Sequence, residues 1–439
     1  MRITLASRRS SVASLFSLAL LLGACAGGSN GGSGTGGRMS TGTGGSTTGM
    51  GGSSQTGGST GTGGVSSTGT GGTVVGTGGS GTGTGGSGTG TGGSGTAGSG
   101  GSSSGFVPYA CPSGMSAPSA SAIPAGTTSV QVQGAPPVDN FDGNQGNGFT
   151  NVEGPVWIGD ALYFSEMLGN PNPPPSRLLK IDANDNVTQF YPSGGGGDSG
   201  SNGNAVDSNG NLVTANHGVG GIVSFTVPGG VKTTIVDSYS GDGKRFNSPN
   251  DLTITKSGTI YFTDPTFQTS SPTQPNTGVY MIPAGSSNAT EIISNLSNPN
   301  GITLSLDEST LYVGYGGGVN AYAVNKADGT VSATPTAVDG ANLNNNATDG
   351  MAIDCAGDLY IVRVNQHDLD VVSFGGNAGA YNPNSAGTHL TTITQIANGQ
   401  LTNAAFGGSD HKTLFVTVQG TKPTKGVYKL TMPIAGMPY

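Results

Sequence analysis

Charge is scarce in this chain: Asp, Glu, Lys and Arg together make up 9% of its 439 residues, and aromatics only 6%. Cysteine numbers three and histidine four, all scattered, so the clustered Cys and His spacing that zinc modules require is absent. After the first 25 residues no apolar run approaches the ~18 residues a membrane-spanning helix needs, which excludes a helical membrane enzyme. Positive charge is scarcest where folding is possible. Phe106 to Tyr439 holds all 24 acidic residues but 12 of the 16 basic ones, a net charge of −12. Nucleic acid, whose binding needs Lys and Arg to neutralise phosphates, is therefore not an expected partner.

Glycine is abundant, and unevenly so: 37 of its 83 occurrences fall between Ala26 and Gly105, a stretch whose one charged residue is Arg38 and which has no aromatic. Gly, Ser and Thr offer almost no apolar surface against roughly 1–2 kcal/mol of backbone entropy per residue, so this stretch reads as a flexible coil. Ahead of it, Arg2, Arg8 and Arg9 precede an apolar core from Leu15 to Leu22, the layout of a secretory signal. The signal ends Leu22-Gly23-Ala24-Cys25, which resembles the bacterial lipobox, in which the cysteine is lipidated and becomes the mature N-terminus; an ordinary signal peptide is the alternative. The expected organisation is a leader over 1–24, a lipidated Cys25 with a tether to residue 105, and a folded region over 106–439. Such a tether has a root-mean-square span on the order of 50 Å. Ala26 after the cysteine resembles the pattern sorted to an outer membrane, so the expected location is the cell surface or periplasm, with the lipid as the chain's sole membrane contact. Export leaves Cys111 and Cys355, and an even count in an oxidising compartment predicts that they pair, with two separate buried thiols as the alternative.

A repeat of about fifty residues organises the folded region. Glu153-Gly-Pro-Val-Trp-Ile-Gly-Asp-Ala-Leu-Tyr-Phe-Ser, Asn250-Asp-Leu-Thr-Ile-Thr-Lys-Ser-Gly-Thr-Ile-Tyr-Phe-Thr-Asp264, Asn300-Gly-Ile-Thr-Leu-Ser-Leu-Asp-Glu-Ser-Thr-Leu-Tyr-Val and Asp349-Gly-Met-Ala-Ile-Asp-Cys-Ala-Gly-Asp-Leu-Tyr-Ile-Val share one pattern. Each has a polar residue, a short alternating strand, a turn, and a second strand ending in an aromatic and aliphatic run. Weaker copies begin at Asn202 and Asn403. Short strands at this spacing, with no helical periodicity between them, predict an all-β array, and fifty residues is one four-stranded blade. Six copies predict a six-bladed β-propeller. Arg177 to Ile181 and Gly278 to Ile282 supply further strands, and Ser129 to Val138 supplies one that closes the ring against the last blade.

Equivalent positions on the innermost strands of a propeller converge on its axis. Here they are Glu153, Asn202, Asn250, Asn300, Asp349 and Asn403, every one bearing a side-chain oxygen. The Asn-Gly and Asp-Gly pairs among them are also common in turns, which leaves a local reading open. Carboxylates and amide carbonyls with no Cys or His in phase suit a hard cation, calcium before magnesium and both before zinc. His367, His389 and His411 fall out of phase and are expected at the surface.

The segments Glu153-Gly-Pro-Val-Trp, Phe246-Asn-Ser-Pro-Asn-Asp251, Asn298-Pro-Asn-Gly301, Asp349-Gly-Met-Ala-Ile-Asp354 and Ala405-Phe-Gly-Gly408 resemble the gluconolactonase and senescence-marker-protein (regucalcin) family of six-bladed propellers, over about Phe141 to Leu430. The resemblance implies a lactone hydrolase with a divalent metal on the axis. Carried over, Glu153, Asn250, Asn300 and Asp349 are the metal ligands, Asp349 doubles as general base, and Asn202 neighbours the site on its substrate side. His217, in Asn216-His-Gly218, resembles a histidine of some bacterial members and is expected to line the pocket as an acid or hydrogen-bond donor. Arg245 resembles an arginine that binds substrate hydroxyls, although here Asn-Ser-Pro intervenes before Asn250, and Val219-Gly-Gly221 stands where relatives carry an arginine pair. The expected activity is hydrolysis of small sugar or hydroxy-acid lactones by a monomer. The rival is a propeller that serves only as a ligand-binding or protein-interaction module, since fold does not fix function.

Overall fold

The computed structural model describes residues 106–137, 148–169, 173–192, 200–338, 343, 346–364, 366–375, 381–420 and 424–438. The leader, Cys25 and the Gly-rich tether lie outside the described residues. Six four-stranded antiparallel sheets follow one another. Their innermost strands are Asn151–Ile158, Ser201–Val206, Leu252–Ile254, Ile302–Leu304, Thr348–Ile353 and Gln400–Gly407. Each blade continues outward with the strands next in sequence, for example Leu359–Arg363, Asp368–Ser373 and Thr388–Thr394 in blade 5.

Burial explains the apolar pattern of these strands. A blade packs against a neighbour on both faces, so a second strand such as Leu359–Arg363 is buried at every position, while an outermost strand such as Val187–Tyr191 keeps solvent-facing residues. The apolar side chains gather into six clusters, one per blade interface. Tyr163 and Leu178 of blade 1 meet Leu212 and Phe225 of blade 2, and Phe164 of blade 1 meets Phe415 and Val427 of blade 6. Six interfaces among six blades make a closed ring.

Closure is made in two ways. Val130–Gln131 pairs with Gly426–Thr431 and becomes the outermost strand of blade 6, so that blade combines both ends of the folded region. At the end of the bore where the inner strands finish, the C-terminal segment crosses beneath them: Trp157 N–H donates to the Pro438 carbonyl, Met437 N–H to Ile353, and Cys355 N–H to Ala435, at 2.8–2.9 Å. Cys111 and Cys355 form a disulfide there, joining positions 244 residues apart. His411, half-buried, stacks on Tyr109 at 3.7 Å between ring centroids, whereas His367 is exposed.

Candidate active site on the propeller axis

The repeat-leading residues sit where the inner strands begin. In blades 1, 2, 5 and 6 the strand pairing slips by a bulge at these positions, between Glu153 and Val156, Ser201 and Asn204, Thr348 and Met351, and Leu401 and Asn403. A bulge re-aims the side chain beside it. In blades 3 and 4 the leading residue stands just ahead of the strand, held by its own N–H: Asn250 to the Thr263 carbonyl at 3.0 Å and Asn300 to Gly314 at 2.9 Å.

The glycine after a leading residue answers to packing across blades. A Cβ on Gly203 would lie 2.1 Å from Asp251 Oδ1, and one on Gly350 would lie 1.9 Å from Asn403 Oδ1. Both glycines lie inside strands, so the turn reading of these pairs does not hold for them. Blade 3 breaks the pattern with Asp251 in the glycine's place, and its carboxylate enters the space that Gly203 leaves. From there Asp251 Oδ2 accepts from Asn403 Nδ2 at 3.3 Å, a bond from blade 3 to the opposite blade 6. The sequence reading missed Asp251; its one signal is a carboxylate where the other blades carry Gly or Ala.

Glu153, Asn250, Asn300 and Asp349 all line one cavity of about 280 Å³. Met167, Phe267, Gln268, Asn298, Ala347, Thr348, Val364, Gln400 and Gln419 complete most of its wall. Of these, Gln400 and Gln419 are opposite one another in blade 6, a pairing that nothing in the repeat announces.

Negative charge dominates the cavity. Burial, then the Asp349 and Asp251 charges, pushes the Glu153 carboxyl well above the usual carboxylate range. Burial and then Asp251 raise Asp349, while the Asn300 side chain and the Gly350 N–H pull it back. Asp251 is pushed up to about 7 by burial, opposed by hydrogen bonds from the Leu252 N–H and the Asn403 amide. Among the described residues no Lys, Arg or His lines the cavity to offset these acids. A hard divalent cation would supply the missing charge, and the available donors, two carboxylates and two amides, are of the oxygen type that calcium accepts. Among the described residues no three of His, Cys, Asp and Glu gather as a metal-holding group, so a site here draws on the amides as much as on the acids.

The other expected site residues are not among those that line this cavity. His217 is buried, its Nε2 2.7 Å from the Pro174 carbonyl oxygen and its Nδ1 without a partner. Burial pushes it down to about 4, so it is neutral over most of the pH range. Arg245 donates through Nη2 to the His217 carbonyl at 2.7 Å, binding one loop to another. Neither borders the cavity, and nor does Asn202, which is buried with its Nδ2 unpartnered.

Residues 152–420 match the family described as SMP-30/Gluconolactonase/LRE-like region. A gluconolactonase of Zymomonas mobilis is 35% identical over 179 residues, 37% of this chain and 48% of the relative, so the chain spans about half the length of that curated relative. The structure of a gluconolactonase from Xanthomonas campestris superposes with a TM-score of 0.53 at 27% identity, covering 65% of this chain and 88% of that one. A calcium-binding regucalcin from Agrobacterium tumefaciens superposes at 0.50 with 17% identity, covering 66% and 92%, a likeness of fold. The family match takes in the inner strands of all six blades and every residue of the axial set, and the chain belongs to the SMP-30/gluconolactonase/LRE-like family.

Proposed function

We propose that this protein is a metal-dependent hydrolase of small lactones, held at the cell envelope by a lipid on Cys25. The observation that supports it most is the convergence of Glu153, Asn250, Asn300 and Asp349 on one acid-rich cavity with no basic side chain among the described residues, in a family that includes gluconolactonases. Those four residues would hold the cation, calcium by preference. When bound, a divalent cation polarises a carbonyl and lowers the pKa of a nearby water.

The chain's own residues do the rest. Asp349 presents a carboxylate to the cavity, which takes a proton from the attacking water. As water adds to the acyl carbon and the ring C–O bond breaks, that proton ends on the released hydroxyl, giving a hydroxy acid. Asn250 and Asn300 orient without changing charge, and Asp251 with Asn403 closes the bore beneath them. His217 and Arg245 act as positioning residues, fixing the loops of blades 1 to 3 around the mouth. Purified protein should release acid from a lactone in a pH-stat, lose that activity to a chelator and regain it with calcium. Turnover that persists after metal removal, or none on any lactone despite bound metal, refutes the proposal.

A further inference from the structure

We propose that Phe267 sorts substrates at this cavity, favouring uncharged lactones that carry an apolar substituent over polyhydroxylated or anionic ones; the inference rests on the lactonase reading above. Large apolar side chains are rarely left in water here. Only four are exposed among the described residues, and Phe267, 42% exposed, is the one of them that borders the axial cavity.

Its exposure does not come from a loose loop. The next residue, Gln268, is held at two points by Ser248, whose Oγ accepts from the Gln268 N–H at 3.1 Å and donates to its Oε1 at 2.9 Å. Further along, the N–H groups of Thr273 and Gln274 both donate to Asn247 Oδ1 at 2.8 Å. Asn247 and Ser248 are themselves anchored through their N–H groups to the buried Asp264 carboxylate, at 2.9 and 2.7 Å. The ring is thus carried on a fixed support at the mouth, and a ligand that covers it need not order the loop first.

The remaining lining is mixed: Met167, Ala347 and Val364 add apolar surface in blades 1 and 5 and Gln268 Oε1 is taken by Ser248, while Asn298, Thr348, Gln400 and Gln419 are polar. Among the described residues an anionic substituent would find two carboxylates and no basic side chain. Two arginines of neighbouring segments are engaged elsewhere: Arg245 with the His217 carbonyl, and Arg363 with Asp368 through Nε at 2.7 Å. Covering the exposed part of a phenyl ring removes on the order of 40–80 Å² from water, which at ~25 cal/mol per Å² is about 5- to 30-fold in affinity.

The test compares kcat/KM of the calcium-loaded protein on an alkyl-substituted δ-lactone, unsubstituted δ-valerolactone, glucono-δ-lactone and its phosphorylated form. Calorimetric binding of an alkyl δ-lactam, whose ring resists hydrolysis, gives a readout apart from turnover. The alkyl lactone should be preferred. Phe267→Ala should raise its KM by about 5- to 30-fold and weaken the lactam equally, with δ-valerolactone changed less than about twofold and Phe267→Leu restoring much of the loss. A preference for glucono-δ-lactone, or a Phe267→Ala loss shared equally by all substrates, overturns the inference and leaves the hydrolase reading standing. Lactam binding that depends on Phe267 without turnover of any lactone supports the ligand class and removes the hydrolase; absence of both removes the two together.

Discussion

Asp358→Asn should make the protein more stable at neutral pH and flatten the dependence of its stability on pH. One Asp-led turn is built alike in three blades, between the third and fourth strands of blade 1 and between the first and second strands of blades 2 and 5. Asp182 Oδ1 accepts from the N–H groups of Asn184 and Asn186, Asp207 Oδ1 from those of Asn209 and Asn211, and Asp354 Oδ1 from those of Ala356 and Asp358, all at 2.8–3.0 Å. In the first two, the last residue is Asn, whose Nδ2 donates to the leading Asp Oδ2 at 2.9 Å. Blade 5 has an acid there. Neither oxygen of Asp358 is hydrogen-bonded, and the nearby Ser373 hydroxyl donates to the Gly375 carbonyl at 3.2 Å. Burial, and then the Asp358 charge, pushes Asp354 up to about 8; burial pushes Asp358 up to about 6. In the unfolded chain both titrate near ~3.9. Both states hold their protons well below that value. Above it the native pair retains protons the unfolded chain has lost, both of them up to about pH 6 and one from there to about pH 8, so stability falls across that range. The slope is about 1.4 kcal/mol per pH unit for each proton that separates the states, or ~5 kcal/mol between about pH 5 and about pH 8. The substitution restores the amide donor and removes one acid, worth ~3 kcal/mol at about pH 7. Guanidinium unfolding of both proteins across that range, with chelator present in each, cancels the axial carboxylates. Wild-type and variant stabilities that run parallel with pH would refute the shared-proton argument.

Other outcomes follow from the axial geometry and the closure. Asp349→Asn should abolish lactone turnover with the thermal midpoint preserved, and normal turnover in that variant removes Asp349 as the base. Gly350→Ala should cost more than ~2 kcal/mol in a melting experiment, because the added carbon would lie 2.7 Å from the Asn403 Cα, a backbone clash that rotating the Asn403 side chain does not relieve; an unchanged midpoint would contradict the close-approach account. Cys355→Ser should lower stability by ~5 kcal/mol, the loop-closure entropy of so distant a crosslink. Reductant should reproduce that loss in the wild type alone.

What could be read ahead of the structure was local and repeated. A strand that alternates, a turn, and a period near fifty residues are encoded within each copy, so the propeller and the axial oxygens were legible. The closing strand was visible too, because Ser129 to Val138 carries the same alternation, although pairing starts only at Val130 and is brief. What escaped depends on residues far apart in sequence. Asp251 and Asn403 are 152 positions apart and meet only because a sixfold ring sets blade 3 opposite blade 6. Gln400 and Gln419 share a cavity with Asn298 from another blade. His217 and Arg245 were placed by analogy in the pocket; the structure ties them to the Pro174 and His217 carbonyls, and neither is among the residues that line the cavity, a matter of loop direction that no short motif records.

The leading pairs show how one motif can carry two instructions. Its first residue faces the bore because a bulge or a strand start turns it there, which is a demand of chemistry. Its second is held to glycine where the neighbouring blade's own leading segment occupies the Cβ position, which is a demand of closure. The two separate at blade 3, where Asp251 keeps an oxygen beside the axis only because Gly203, on blade 2, has no side chain to exclude it. A side chain added at Gly203 should therefore disturb the floor of the site from another blade, shifting Asp251 away from Asn403 and lowering turnover even where the four lining donors are intact. A Gly203→Ala variant that folds and hydrolyses lactones at the wild-type rate would show that the floor bond between opposite blades contributes nothing to the chemistry above it.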